Sequence, residues 1–105
     1  MKKPRYTTYT YAAIIPMMRG TFTAYSISGE LRISVPTAAR IIEGMNRAGL
    51  ARVEVVKHRR NAVKKLGALT SEGLQRIRTA GYASIAEDCY AQVARYNAWK
   101  VMQND

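Results

Sequence analysis

Residues that carry redox, metal-binding or catalytic chemistry are scarce in this sequence. Its 105 residues include one cysteine, one histidine and seven acidic side chains. The single cysteine, Cys89, excludes an internal disulfide framework and is typical of a reducing compartment. The few candidates form no metal-ligand set and no nucleophile–base pair, and no glycine-rich phosphate loop is present. We therefore predict no catalytic residue, no metal and no cofactor, and we do not expect an enzyme.

Long apolar runs are also missing. No stretch approaches the ~18–20 apolar residues that a membrane-spanning helix needs. Residues 1–18 begin with basic side chains and contain an apolar patch, but tyrosines and threonines interrupt it and Pro16 ends it. We therefore predict no secretory signal and a cytoplasmic protein. With 48% hydrophobic residues, the chain has enough apolar material for one domain with one core.

Basic residues, by contrast, are abundant and unevenly placed. The chain has 17 Lys and Arg residues and a net charge of +10. Residues 19–78 contain twelve basic side chains against four glutamates, whereas residues 79–105 are nearly neutral. A positive field of this size raises the local concentration of polyanions such as nucleic acid. Charge alone is equally compatible with a soluble basic surface.

Two helices joined by a tight turn are predicted between Ala24 and Gly49. In the first helix, Ala24–Leu31, Ile27 and Leu31 share one face. After the turn at residues 32–34, Ser34 is a good N-cap and Pro36 falls in the first turn, where its missing N–H costs nothing. Gly49 supplies a left-handed C-cap. The second helix should bury one apolar stripe: Ala38, Ile41, Ile42 and Met45.

The residues after Gly49 read as a β-hairpin with a basic tip. Residues 52–57 alternate as a strand with one buried face, residues 58–61 form the turn, and residues 64–69 return. Thr21–Thr23 is a brief extended segment that we expect to pair with this hairpin. Gly67 interrupts the return strand.

The remaining segments are predicted to be helical. A loose basic arm at residues 1–6 precedes a first helix capped by Thr7 or Thr8, which either kinks at Pro16 or begins near it. Thr70 or Ser71 starts another helix, which Gly81 breaks. The sequence Ser84–Glu87 has the form of a capping box, so we expect the last helix to begin at Ser84.

At this point the chain resembles the MarR class of winged-helix transcription regulators. The resemblance covers about residues 20–78. It rests on Ile27 and Leu31, Ile33–Ile42, Met45, Ala48–Leu50 and Leu69–Gly73. Two positions depart from the class: Arg32 stands where a glycine is usual, and Ser28 where an alanine is usual. The resemblance implies a mainly α-helical fold with a small β-hairpin wing, a winged helix-turn-helix with a C-terminal dimerisation helix.

The function implied by the resemblance is sequence-specific binding of double-stranded DNA by a transcriptional regulator, a repressor. Helix residues Val35–Ala48 would lie in the major groove, and the wing, Lys57–Lys65, on the backbone or in the minor groove. The alternative is a solvated helix face with an Arg40–Glu43 ion pair. The predicted DNA contacts are Arg32, Ser34, Pro36, Thr37, Arg40, Arg47, Lys57, His58, Arg59, Arg60, Lys64 and Lys65.

An apolar stripe on the last helix predicts a homodimer, because a lone small domain would leave it exposed. The organisation is then an N-terminal arm and helix (1–19), a DNA-binding domain (20–80) and a dimerisation helix (81–105). The front of the chain is rich in tyrosines, and we predict that they pack in a core or an interface and do not stack on bases. These are Tyr6, Tyr9, Tyr11 and Tyr25. The predicted dimer contacts are Ile85, Cys89, Val93, Tyr96 and Trp99.

Two other functions remain open at this stage. A winged helix can bind a host protein and have only non-specific affinity for nucleic acid, because fold does not determine function. The tyrosines can also stack on single-stranded nucleic acid. The sequence names no small-molecule effector.

Overall fold

The computed structural model describes residues 1–57 and 63–103. Within these ranges the fold is mainly helical, and its one sheet is a two-stranded antiparallel hairpin. The predicted contacts His58, Arg59 and Arg60 lie outside the described residues. No helix in the described ranges is long and apolar enough to cross a membrane. The elements are α1 (Tyr6–Met17), α2 (Ala24–Leu31), α3 (Val35–Arg47), β1 (Ala51–Lys57), β2 (Val63–Leu69), α4 (Ser71–Thr79) and α5 (Tyr82–Gln103).

Helix α2 has the predicted bounds because short-range hydrogen bonds close its start. The Thr23 hydroxyl accepts from the Ser26 N–H at 3.0 Å, and the Thr23 N–H donates to the Ser26 hydroxyl at 2.9 Å. This reciprocal pair satisfies donors that the first turn would otherwise leave open. Ile27 and Leu31 are fully buried, as their spacing predicts.

Helix α3 also begins and ends as the sequence predicts. The Ser34 hydroxyl accepts from the Thr37 N–H at 3.3 Å. At the other end Gly49 has φ +76°, and the Leu50 N–H donates to the Met45 carbonyl at 3.0 Å. These bonds close the helix with a left-handed glycine. The predicted stripe is buried: Ala38, Ile41, Ile42 and Met45.

The hairpin of β1 and β2 is tied to the helical body at its base. Ala51 pairs with Leu69, and Lys57 pairs with Val63 at the far end. The predicted extended segment does join it, since Phe22 and Gly67 exchange two backbone hydrogen bonds of 2.9 and 2.8 Å. The predicted buried face of β1 is wrong beyond Val53, because Val55 is 65% exposed.

Helices α1 and α5 pack along each other beside the helix-turn-helix of α2 and α3. Helix α1 starts at Tyr6, before the predicted Thr7 or Thr8, and no side chain caps it. Pro16 lies in its last turn, so the helix does not begin there. Pro4 is buried, so the arm before α1 contacts the domain at this residue, whereas its basic side chains are exposed.

The start of α5 differs from the prediction. Gly81, with φ +75°, separates α4 from α5, and α5 begins directly at Tyr82. The residues of the predicted capping box, Ser84–Glu87, therefore lie inside the helix. The helix starts early because Tyr82 and Ala83 already pack against the core.

The close approach of Phe22 to Gly67 generates a stability prediction. A Cβ at Gly67 would overlap the buried Phe22 ring, so Gly67→Ala should destabilise the protein by about 1–3 kcal/mol. Gly29→Ala is the matched control, because that site is helical and open, and should stabilise by up to ~1 kcal/mol. Urea unfolding followed by circular dichroism measures both. Equal effects of the two substitutions would contradict the packing role of Gly67.

Candidate nucleic-acid interface

The outer face of α3 is open to solvent and carries two arginines. Pro36, Arg40 and Arg47 are exposed on this face. Glu43 pairs with Arg47 at 3.2 Å, so the Arg40–Glu43 pair considered from the sequence does not form. Within residues 1–57 and 63–103 the Arg40 side chain makes no ion pair or hydrogen bond. Its guanidinium is therefore available to a ligand.

Two of the predicted DNA contacts, Ser34 and Thr37, are hydrogen-bonded to each other at the start of α3. The hydroxyls of Ser34 and Thr37 are 2.8 Å apart and hydrogen-bonded, while Ser34 also caps the helix. Thr37 is half-buried and Ser34 exposed. The pair presents hydroxyl groups whose orientation the helix itself determines.

The turn before α3 contains Arg32, the one non-glycine residue with a positive φ in the part of the chain that the structure describes. Arg32 has φ +57° and ψ +51°, the left-handed conformation that L-residues other than glycine rarely adopt. The Ser28 carbonyl accepts from the N–H groups of Arg32 and Ile33, and the Ser28 hydroxyl donates to the Ile33 carbonyl. The two positions that depart from the MarR pattern are therefore hydrogen-bonded to the same turn: Ser28, in α2, holds the backbone of Arg32 and Ile33.

A groove separates α3 from the wing. Ala39, Glu43 and Asn46 line it from the helix, and Val55 and Lys65 line it from the strands. Because successive strand residues point to opposite faces, Lys64 lies on the other face of the wing. Lys57, Lys64 and Lys65 are all exposed. The wing therefore offers basic groups both toward α3 and away from it.

Helix α5 is joined to α2 by polar contacts at its surface. The Tyr90 hydroxyl donates to a Glu30 carboxylate oxygen at 2.7 Å, and Arg19 pairs with the same oxygen at 2.9 Å. The Tyr90 hydrogen bond, followed by Arg19, lowers the pKa of Glu30 below its ordinary value. Further along α5, the Asn97 side-chain amide donates to the Leu31 carbonyl at 3.1 Å. These bonds determine how the α2–α3 turn sits against α5.

The predicted dimer contacts divide between two faces of α5. Val93 is 2% exposed and packs in the core of the same chain, so its assignment to an interface is corrected. Ile85 is 42% exposed, whereas Tyr96 and Trp99 are half-buried, with ring centroids 5.9 Å apart. Cys89 is half-buried, and burial raises the pKa of its thiol, which disfavours a reactive thiolate.

The four N-terminal tyrosines have different environments. Tyr9 is buried in the core, and this burial raises its pKa. Tyr11 is half-buried and packs on Tyr82, with ring centroids 5.9 Å apart. Tyr6 and Tyr25 are exposed, Tyr25 by 76%. They do not form one stacking surface of the kind that single-strand binding uses.

The structure also brings together residues that the sequence reasoning did not single out. Lys3 lines one groove with Ser34 and Thr37, and another with Lys100. The only sequence signal was the basic charge of the arm, because the buried Pro4 that anchors it leaves no local pattern. In the part of the chain that the structure describes, no group of three or more His, Cys, Asp or Glu is placed to hold a metal.

These elements define a winged-helix fold: a helix-turn-helix of α2 and α3, a basic hairpin at its end, and three further helices, α1, α4 and α5. No family model matches the chain, and no curated protein matches it in sequence. The fold is nevertheless shared with solved structures of winged-helix transcription regulators of the MarR and PadR type.

Three of these structures illustrate the likeness. Bacillus subtilis PadR, solved in complex with operator DNA, has a TM-score of 0.61 at 19% identity. Lactococcus lactis ZitR has a TM-score of 0.59 at 14% identity. A mutant MepR from an S. aureus clinical isolate has a TM-score of 0.55 at 16% identity. The match covers 74% of this chain for PadR, 94% for ZitR and 95% for MepR. The chain spans 48% of PadR, 76% of ZitR and 71% of MepR.

The left-handed conformation of Arg32 predicts that two substitutions at this position differ in their effect on stability. Arg32→Gly removes the left-handed strain, so its free energy of unfolding should exceed that of Arg32→Ala by about 1 kcal/mol. Both variants lose the same guanidinium, so the comparison isolates the backbone. Urea unfolding of the two variants in parallel provides the measurement. A less stable Arg32→Gly protein would show that the turn does not require a left-handed residue.

Proposed function

We propose that the chain is a homodimeric, sequence-specific double-stranded DNA-binding transcriptional regulator that acts as a repressor. The observation that carries this proposal is the open face of α3 beside the basic wing. Pro36, Arg40 and Arg47 are exposed there, while the opposite stripe of the helix is buried in the core. A helix anchored in this way can enter the major groove without unfolding any part of the domain.

Arg40 is proposed to read bases and Arg47 to contact the backbone. A guanidinium can bind the two major-groove acceptors of guanine together. Arg40 is suited to this because no described residue occupies its donors, whereas Arg47 is engaged by Glu43. Thr37 and Pro36, near the start of the helix, complete the base-facing surface.

The wing is proposed to bind the DNA backbone or the minor groove. Lys65 faces the groove beside α3 and Lys64 the other side, so the two lysines can contact different phosphates. His58, Arg59 and Arg60, which lie outside the described residues, are proposed from the sequence as further contacts. Contacts of this type add affinity without reading sequence.

The second copy of the chain is proposed to pack on α5. Ile85, Cys89, Tyr96 and Trp99 recur at helical spacing on a face next to the one that Val93 uses in the core. Met102, which is 72% exposed, leaves more apolar surface near the end of the same helix. Two copies joined there would read half-sites about one turn of DNA apart. The PadR structure with operator DNA supports a regulator of this kind.

Selection of bound duplexes from a random library, at near-physiological salt, tests the proposal. Enrichment of a palindromic site is expected, because two equivalent α3 helices would read two half-sites. Binding that falls steeply with salt but enriches no sequence would contradict sequence reading. In that case capture of a single protein partner would identify an interaction module, and preference for single strands would identify the third function.

Arg40→Ala and Lys65→Ala should weaken binding in different ways. Arg40→Ala should cost ~1–3 kcal/mol and relax specificity at one base position, because it removes a base contact. Lys65→Ala should weaken all sequences alike and reduce the salt dependence by about one phosphate contact. Repeating the selection and a salt titration with each variant measures both. Uniform weakening by Arg40→Ala would contradict its base-reading role.

A further inference from the structure

The N-terminal arm contacts the domain beside the start of α3. Pro4 is buried, and α1 begins two residues later at Tyr6. Lys2, Lys3 and Arg5 therefore flank an anchored residue and stay close to the domain. Their charges are exposed, so the anchoring of Pro4 is what holds them near one place.

Three cations from different parts of the chain meet at this place. Lys3 and Arg32 line a groove with Ser34 and Thr37, and the same two cations line a second groove with Lys100. No acidic residue lines either groove within the described ranges. We refer to Lys3, Arg32 and Lys100 as the arm patch.

The arm patch and the wing lie on opposite sides of the open face of α3. Thr37 borders the arm-patch groove, whereas Ala39 borders the wing groove. Two residues along a helix correspond to a rotation of about 200°, so these positions are on nearly opposite sides of α3. Arg40, three residues after Thr37, projects between them. A duplex that meets Arg40 is thus flanked by positive charge on both sides.

We propose that the arm patch binds the phosphate backbone of duplex DNA on the side of α3 away from the wing. This inference rests on the proposed function and extends it from Arg32, already a predicted contact, to Lys3 and Lys100, which lie outside the helix-turn-helix and the wing. Like charges brought together without an acidic partner repel each other, and a polyanion relieves that repulsion. A phosphate backbone is the polyanion that the adjacent α3 face is suited to meet.

Salt titrations of the full chain on mixed-sequence duplex DNA test this proposal. Lys3→Ala and Lys100→Ala should each lower the slope of log affinity against log salt by about 0.9, the value for one phosphate contact. The corresponding loss of affinity is about fivefold near physiological salt, for every sequence alike. Arg78→Ala is the matched control, since it removes one exposed charge from α4 that lines neither groove.

The outcomes distinguish this inference from the function on which it rests. If the native chain binds duplex DNA and both lysine variants keep its slope, the arm patch proposal is overturned and the proposed function stands. If the native chain does not bind duplex DNA, both are overturned. Hydroxyl-radical footprinting gives an independent readout, because Lys3→Ala should lose backbone protection on the side away from the wing. Urea midpoints equal to that of the native chain confirm that the variants are folded.

Discussion

The contact between Phe22 and Gly67 gives the wing a defined position, and the candidate interface depends on it. A two-stranded ribbon is only marginally stable by itself in water, and here its outer half exposes Val55 and Val63. The two backbone hydrogen bonds from Phe22 add a third strand-like partner at the base of the ribbon. The Phe22 ring occupies the space that a side chain at position 67 would need. The groove between Lys65 and α3 exists because the base of the wing is held in this way.

Elements whose ends depend on local chemistry could be predicted from the sequence. Ser34, Pro36 and Gly49 act within one turn of the helix they delimit, so the bounds of α3 follow from a short stretch of chain. The same holds for α2, whose buried residues recur at a simple spacing. Gly67 was visible only as an interruption of a strand, because the Phe22 ring that requires it lies 45 positions earlier in the sequence.

What depends on distant contacts could not be predicted. Ile85 and Val93 both fit the apolar pattern of α5, and the pattern does not reveal which of two adjacent faces packs on α1. Val93 takes the inner face and Ile85 stays exposed, so only part of the predicted stripe is left for a second copy. The arm is a similar case. The basic residues before α1 were evident, but their approach to Arg32 and Thr37 follows from the burial of Pro4 and from the packing of α1 against α5.

Arg32 is the residue at which local stability and the proposed binding oppose each other. Its left-handed backbone costs about 1 kcal/mol relative to glycine, and strain of this kind persists only where the surroundings impose it. The bonds to Ser28 and the Asn97 hydrogen bond to the preceding carbonyl impose it here. The Arg32 side chain is exposed and makes no hydrogen bond or ion pair with the described residues, so no polar contact of its own offsets the strain. A phosphate beside Lys3 and Thr37, the partner proposed above, would give the Arg32 guanidinium an interaction that the described residues do not provide.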